Sequence, residues 1–533
     1  MAADDRLRLT PAPLPAGAPD RVAACEVIIV GAGLVGLTLA IDLTLRGIDV
    51  VVLEKEDRVS DGSRSICQAQ RTLEIWDRLG VGAAIRDRGV TWSRGRVFHG
   101  DRELYAFDLT DQPDARMPAF VNLQQYLVEA LLHRRLAELG GTVRATHALA
   151  GLIQDADGVV AHVGTPAGDY RLHGRWLVSC EGVRSVARAS LGLPLVGQRF
   201  DDRFLIADVR MRADYPTERW FWFEPPFHAG QTALMHRQAD DVWRIDLQLG
   251  PDADAEVERQ PARVRPRIEA MVGHRDFDFA WLSVYAFQCR TLERYVHGRV
   301  IFAGDSAHQV SPFGARGGNG GVQDADNLGW KLARVVRGDS PPVLLDSYCQ
   351  ERRAAAAENI GHSTRATDFM APRTDRSRRA RDTILDAART DPFARRMVNA
   401  GRLSTPCRYA ATPLSSPDQG LWPDHVPAAG APMADMPLAA ATGTHLSQAV
   451  GGDFTLLMVG APTPASRPMP PGTRVLALDT DIAQHRAVAS RHDLAAGDAI
   501  LIRPDQHVAA RLRGATVGSI AGAWQRATGR NAA

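Results

Sequence analysis

The chain has 533 residues, 45% of them hydrophobic and 23% charged, a composition that fits a folded protein of two to three domains and argues against a fibre or a disordered tail. A formal net charge of +1 supplies no field for nucleic acid or anionic lipid, so no nucleic-acid partner is expected. Lys55 and Lys331 are the only lysines among 63 basic residues, so chemistry needing a free amine has two candidates.

Residues 1–24 carry early acids and repeated prolines where a signal peptide would need a basic start and an unbroken apolar run, so they are expected to be a disordered lead-in. The run "CEVIIVGAGLVGLTLAIDLTLRGIDVVVLEKE" then reads as strand, glycine turn, helix and strand. Gly31, Gly33 and Gly36 have the GxGxxG spacing: a tight turn, a close approach of pyrophosphate to backbone, and helix packing on the sheet. Glu54, followed by Lys55, ends the second strand about 20 residues on, where a carboxylate accepts from ribose hydroxyls. A dinucleotide is expected here. The segment "LVSCEGVRSVAR", residues 177–188, is a strand, a Glu181-Gly182 turn and a helix start.

Residues 218–250 alternate apolar and polar side chains as antiparallel strands do. Within them Trp243, Ile245, Leu247 and Leu249 share one face, and Arg244, Asp246 and Gln248 the other. Such a polar stripe reads either as a solvated face or as a cavity lining. Residues 300–333 run a strand into "GDSAH", then a loop with glycines at 314, 317, 318, 320 and 321 around Asn319, then a helix. That loop exposes successive N–H groups at the positive end of a helix dipole, a place for developing negative charge. Residues 340–400 read as Arg- and Ala-rich helices and 401–440 as a linker. Beyond them "DFTLLMVG", "RVLALD" and "DAILIRPDQHVAAR" read as strands. The six cysteines are scattered with no CxxC pair, so reduced thiols and no metal site are expected. No stretch reaches the roughly 18 uncharged apolar residues a membrane helix needs.

The three nucleotide motifs, in this order and spacing, resemble the group A flavoprotein monooxygenases, the aromatic hydroxylases related to p-hydroxybenzoate and 3-(3-hydroxyphenyl)propionate hydroxylases. The resemblance covers residues 26 to about 380. It implies an α/β fold in which a discontinuous Rossmann-like FAD-binding domain (25–90, 121–195, 290–400) is joined to an α+β antiparallel-sheet substrate domain (91–120, 196–289). Residues 441–533 look like the thioredoxin-like domain appended to some members. Having no cysteine, that domain is expected to serve packing or dimer formation and to be dispensable for flavin chemistry.

By the same resemblance Asp305 would hold the ribityl chain, Pro312 would lie against the isoalloxazine and act catalytically, and the amides of Gly317, Gly318 and Asn319 would face the pyrimidine ring. Arg64 would sit near phosphate or ribityl oxygens, Gln125 would contact flavin, and His236, Arg244 and Gln248 could line the substrate cavity. The family usually has Asp-Gly where this chain has Glu181-Gly182, so the acid's reach differs by a methylene. No second strand-anchored GxGxxG occurs, as expected where NADPH or NADH visits without a fold of its own.

The implied activity is hydroxylation of a phenolic or amino-aromatic ring with NAD(P)H and O₂ through a flavin C4a-hydroperoxide, in a cytoplasmic enzyme that could form a homodimer. Halogenation would need a substrate-side lysine, which Lys55 and Lys331 do not supply. Epoxidation or another oxygenation of a polycyclic substrate stays open, as does a FAD-binding scaffold without hydroxylase activity.

Overall fold

In the computed structural model, residues 7–16, 23–109, 112, 114–398, 404–439, 444–460 and 469–530 are described. The run Ala23–Val30 is the central strand of the first sheet, and its apolar half is sealed because parallel neighbours cover both edges: Gly168–Ser179 on one side and Val50–Glu54 on the other. Val143–Ala145 and Val300–Phe302 extend the parallel order outward. This arrangement brings the ends of three strands, and therefore the three motifs that follow them, to one edge.

Residues 7–16 depart from the disordered lead-in expected of 1–24. They lie along the sheet edge, where the Leu9 amide donates to Asp57 O at 2.7 Å and His147 Nε2 meets Ala12 O at 3.0 Å. Ala23 and Ala24 also depart from it, as the start of strand Ala23–Val30, and the remainder, 1–6 and 17–22, lies outside the described residues.

The second sheet is antiparallel through Asp278–Thr291, Val196–Arg210, Val242–Leu249, Thr232–Arg237 and Arg219–Phe223. It continues in parallel to Arg94–His99. Its period-2 alternation separates two faces. Leu205, Ala207, Trp243, Ile245 and Leu247 pack against Val264 and Ile268 of helix Pro261–Val272. The opposite face meets the first domain and is not the solvated stripe that the alternation also allowed: His236, Arg244 and Gln248 are all buried.

Two further segments are placed differently from expectation. Residues 340–400 were expected to close the first domain; Leu344, Leu345, Tyr348 and Ala356 pack in the core of the first sheet, whereas Ala366, Met370, Leu385 and Ala388 pack on Val97, Phe221, Phe223 and Leu234 of the second. The described part of the expected 401–440 linker, 404–439, is anchored: Tyr409, Leu414 and Val426 are buried and the Gly430 amide donates to Val508 O at 2.8 Å. Prolines and glycines gave it the composition of a linker, but its widely spaced apolar residues anchor it.

In the C-terminal unit, Phe454–Val459 pairs in parallel with Thr473–Leu478 and antiparallel with Ala499–Ile502, which pairs antiparallel with Val508–Leu512. Phe454, Leu456, Leu501 and Trp524 belong to the same apolar core as the first sheet and its helices. Trp330 meets Phe454 edge-on at 5.6 Å. Among the described residues no helix is long and apolar enough to cross a membrane.

Candidate active site

Gly31 has φ +101°, a region that L side chains rarely adopt, and a Cβ there would lie 2.5 Å from Cys180 O. A Cβ on Gly36 would fall 1.9 Å from Gly31 O. These two glycines close the turn onto the second motif. Gly33 differs: with φ −82°, its nearest would-be neighbour is Glu129 Oε1 at 3.8 Å. It opens helix Leu34–Leu45, whose first turn has neither a side-chain cap nor an acid. Helix Gly317–Val336 likewise begins with no side-chain cap and no acid. The two helix starts pack together, since a Cβ on Gly318 would meet Ser65 Oγ at 2.4 Å and Leu34 Cδ1 at 3.6 Å. Unfilled N–H groups at the positive ends of two adjacent helices suit the phosphates and reduced-ring charge of a flavin dinucleotide.

The side chains around this cleft divide into those that face it and those that hold its walls. Glu54 Oε2 accepts from the Ala32 amide at 2.8 Å, fixing the acid at the end of its strand. Lys55 is exposed and pairs with Glu56 at 3.5 Å. Asp305 is exposed to solvent yet crowded by protein, and this crowding pushes its carboxyl above the usual carboxylate value while His308 and Arg64 oppose the rise. Arg64 itself stands 5.9 Å from the Tyr285 ring centre.

Gln125 is placed as a wall residue. Its Oε1 accepts from the Ser65 amide at 3.0 Å and its Nε2 donates to Glu129 at 2.8 Å, so it fixes the loop carrying Arg64. Asn319 likewise laces the glycine loop to strand Cys67–Ala69: Oδ1 accepts from the Ala69 amide at 2.9 Å and Nδ2 donates to Cys67 O at 2.9 Å.

Glu181 was expected among the cofactor residues, and the structure places its carboxylate on donors of the protein itself. Its carboxylate accepts from Ser179 Oγ and Ser185 Oγ at 2.8 Å each, and from the amides of Val186 and Ala187 at 2.9 and 3.1 Å. The additional methylene lets the acid curl back over the start of helix Val186–Ser190, where four donors engage it. Gly182, with φ +74°, supplies the turn. Arg188 then bridges to the third motif, donating to Ser306 O at 3.0 Å.

Sequence reasoning missed the group that sets the "GDSAH" turn. Asp324 accepts from the Gly304 amide at 2.9 Å, from His308 Nε2 at 2.6 Å and from Arg352 Nε at 2.6 Å. Burial alone would raise its carboxyl, but His308 and Arg352 outweigh burial and hold it at about 2. The signal was an acid on the otherwise buried face of a helix.

Pro312 lines a cavity beneath the antiparallel sheet together with Phe204, Ile206, Arg219, Phe221, Thr232, Leu234, Asp246, Phe287 and Phe313. Phe204, Phe287 and Phe313 form a cluster with ring centres 5.0 to 5.6 Å apart. None of His236, Arg244 and Gln248, expected here, lines it. Arg244 is bound to Asp208, with Nε to Oδ1 at 2.6 Å, and donates to Ser63 O; His236 Nδ1 lies 3.3 Å from Asn122 Nδ2; Gln248 Oε1 accepts from Thr232 Oγ1 at 3.0 Å. They support the lining. Arg219 and Asp246, which do line it, were hidden because strand alternation does not say which polar residue meets the neighbouring domain.

Asp305→Ala is expected to weaken FAD binding about tenfold by removing a hydroxyl acceptor, consistent with the roughly 1–3 kcal/mol cost of leaving buried polar groups unpaired. Fluorescence titration of the apoprotein with FAD checks this; unchanged affinity and turnover would show that Asp305 does not touch the cofactor.

Comparison with known proteins shows the family. Residues 24–363 match the FAD binding domain family. The chain is 34% identical over 388 residues to the 12-dehydrotetracycline 5-monooxygenase/anhydrotetracycline 6-monooxygenase of Streptomyces rimosus, covering 70% of this chain and 76% of that protein. It is 30% identical over 396 residues to the 3-(3-hydroxy-phenyl)propionate/3-hydroxycinnamic acid hydroxylase of Mycolicibacterium smegmatis, covering 72% and 68%. The solved OxyS anhydrotetracycline hydroxylase of Streptomyces rimosus superposes with a TM-score of 0.71 at 27% identity, over 95% of this chain and 99% of that one.

Proposed function

Because this chain belongs to the FAD binding domain family and is a flavin-dependent monooxygenase, we propose that it hydroxylates a phenolic or amino-aromatic ring, with NAD(P)H as reductant and O₂ as co-substrate. The observation that carries this reading is a shared wall. Pro312 follows the "GDSAH" turn of the nucleotide cleft and also lines the aromatic cavity, so a ring held there lies next to the cofactor cleft. When bound, FAD supplies the hydride acceptance and oxygen activation that no side chain can perform.

The chain's own part is binding, orientation and exclusion of water. The aligned amides at the start of helix Gly317–Val336 offer positive potential without a competing acid. The Phe204, Phe287 and Phe313 cluster presents aromatic faces to a planar substrate and keeps the cavity dry. The nucleotide residues proposed to touch FAD are Gly31, Gly33, Gly36, Glu54, Lys55, Arg64, Asp305, Pro312, Gly317, Gly318 and the Asn319 amide.

The C-terminal unit is proposed to be thioredoxin-like, supported by its strand order of one parallel pair followed by two antiparallel pairings. A cytoplasmic location and a homodimer complete the proposal.

Aromatic ligands should accelerate flavin reduction severalfold or more, because backbone-lined glycine positions let the flavin change its place at little side-chain cost. Anaerobic stopped flow with NADH and NADPH, across phenols, hydroxybenzoates and aminobenzoates, checks this. A reduction rate indifferent to every aromatic would favour a simple flavin oxidase or reductase.

A further inference from the structure

The roof of the Pro312 cavity is a grid of inward-facing side chains on adjacent strands. Across it run the rows Ile206–Asp246–Leu234–Phe221 and Asp208–Arg244–His236–Arg219. Most polar members have partners inside the protein: Arg244 with Asp208, His236 with Asn122, and Gln248 with Thr232. Two do not. Arg219 Nε and Asp246 Oδ1 are cut off from solvent with no hydrogen-bond partner, and both residues line the cavity among phenylalanines. The nearest opposite charge to Asp246 is Arg244 Nε, at 3.9 Å and already held by Asp208. Burying polar groups of either sign without partners is costly, so such a pair in an apolar cavity marks groups reserved for a ligand.

We propose that Arg219 and Asp246 are the substrate-recognition pair of this site, Arg219 receiving a carboxylate and Asp246 taking the proton of a ring hydroxyl. The inference rests on the monooxygenase reading and narrows its substrate to an aromatic that carries both groups. In the proton step the hydroxyl O–H bond breaks heterolytically. Its electron pair stays on the ring oxygen, and the proton forms a new O–H bond on the Asp246 carboxylate. Nothing is oxidised. The ring becomes electron-rich, which suits attack on an electrophilic oxygen, and the guanidinium balances the charge. Arg244, on the same strand as Asp246, Asp208 and His236, on adjacent strands, and Cys67, from the facing domain, are the other titratable groups whose fields act with Arg219 in this corner.

Burial pushes the Asp246 carboxyl from 3.8 up to about 6, with Arg244 opposing and Asp208 adding to the rise. Its folded value lies above the unfolded one. The stability it contributes is therefore full below pH 3.8 and is lost as pH rises through about 6. Asp246→Leu should therefore melt higher than the parent at pH 8 and no higher at pH 4. Arg219→Met leaves no protein hydrogen bond unmatched, so both variants are expected to fold.

The test uses the FAD-loaded full chain and isothermal titration between pH 5 and 8 with three probes: 3-(3-hydroxyphenyl)propionate, its 3-methoxy counterpart and its primary amide. The parent protein should prefer the hydroxy acid over both others by about tenfold or more at pH 8, the scale set when a site built for a polar group meets an analogue lacking it. Its preference for hydroxyl over methoxy should shrink below pH 6, where Asp246 is protonated. Asp246→Leu should abolish that preference and keep acid over amide; Arg219→Met should do the reverse. A parent that binds none of the probes, or variants that keep both preferences, would overturn the assignment. Flavin reduction by NADH and NADPH, measured on the same samples, separates the two levels. Normal reduction with absent preferences removes this inference alone, whereas no reduction by either nicotinamide removes the monooxygenase reading.

Discussion

Gly33→Val should give a folded protein that retains essentially no FAD, whereas Gly36→Val should not fold. The contrast follows from two glycines three residues apart. At Gly36 the added Cβ would sit 1.9 Å from the Gly31 carbonyl oxygen and 3.1 Å from its carbon, both backbone atoms of a turn fixed between two buried strands. No rotamer relieves that overlap, so the turn must open and the sheet with it. At Gly33 the backbone is extended and the closest atom is a carboxylate oxygen 3.8 Å away, so the protein alone has room for the side chain. What has no room is a pyrophosphate drawn against the uncapped amides of helix Leu34–Leu45. Affinity for FAD is expected to fall about 100-fold or more, roughly the loss of two charge-assisted hydrogen bonds at 1.5–3 kcal/mol each. Far-UV circular dichroism and the flavin content of the purified variants check both halves. A Gly33→Val protein at full FAD occupancy would remove this turn from the cofactor site.

Arg503→Met should destabilise the protein by about 3–5 kcal/mol, the cost of breaking a buried ion pair from one side. Arg503 donates to Glu351 at 2.6 and 2.9 Å and to Asp505 at 2.9 and 2.5 Å; Lys331 reaches Glu351 at 2.7 Å and Asn327 at 2.8 Å. All four charged groups are fully buried. Burial alone would raise the Glu351 carboxyl, yet Arg503 and Lys331 hold it well below the usual range; burial lowers Lys331 to about 8 despite Glu351. Arg71 adds a second tie, donating to Gln506 Oε1 and Asp505 O at 2.7 Å each.

The expectation that residues 441–533 are dispensable for flavin chemistry therefore changes. Removing them would strip partners from helices Gly317–Val336 and Leu344–Met370, the first of which begins with the glycine loop. Thermal unfolding followed by circular dichroism and flavin fluorescence should show Arg503→Met releasing FAD at a lower temperature. Arg503→Met/Asp505→Asn should recover part of the loss, because the carboxylate stranded by the single change is removed and the Lys331–Glu351 pair stays intact. An unchanged melt would show that solvent reaches the network.

Features whose physics is local were legible in the sequence. The apolar run before Gly31, the turn itself and the helix after it each follow from neighbouring residues, as does the glycine loop that opens helix Gly317–Val336. Alternation in 242–249 correctly separated Trp243, Ile245 and Leu247 from Arg244 and Asp246. It did not reveal that the polar face is covered, because covering depends on a domain built from distant segments. Glu181 looked like a cofactor ligand by position, whereas its donors are the serines and amides beside it. Nothing local in the sequence marks Arg503, Asp505 and Glu351 as buried, because the partner that makes burial possible lies 152 residues away for Glu351 and Arg503.

The central claim is oxygen transfer from O₂ to an aromatic ring at the Pro312 cavity, and the direct measurement is isotopic. The FAD-loaded protein, supplied with NADH or NADPH and a panel of hydroxylated aromatics under ¹⁸O₂, is expected to give a product carrying one ¹⁸O atom, in proportion to nicotinamide consumed. Products that carry oxygen only from water, or consumption of every nicotinamide equivalent as H₂O₂ whichever aromatic is present, would contradict it.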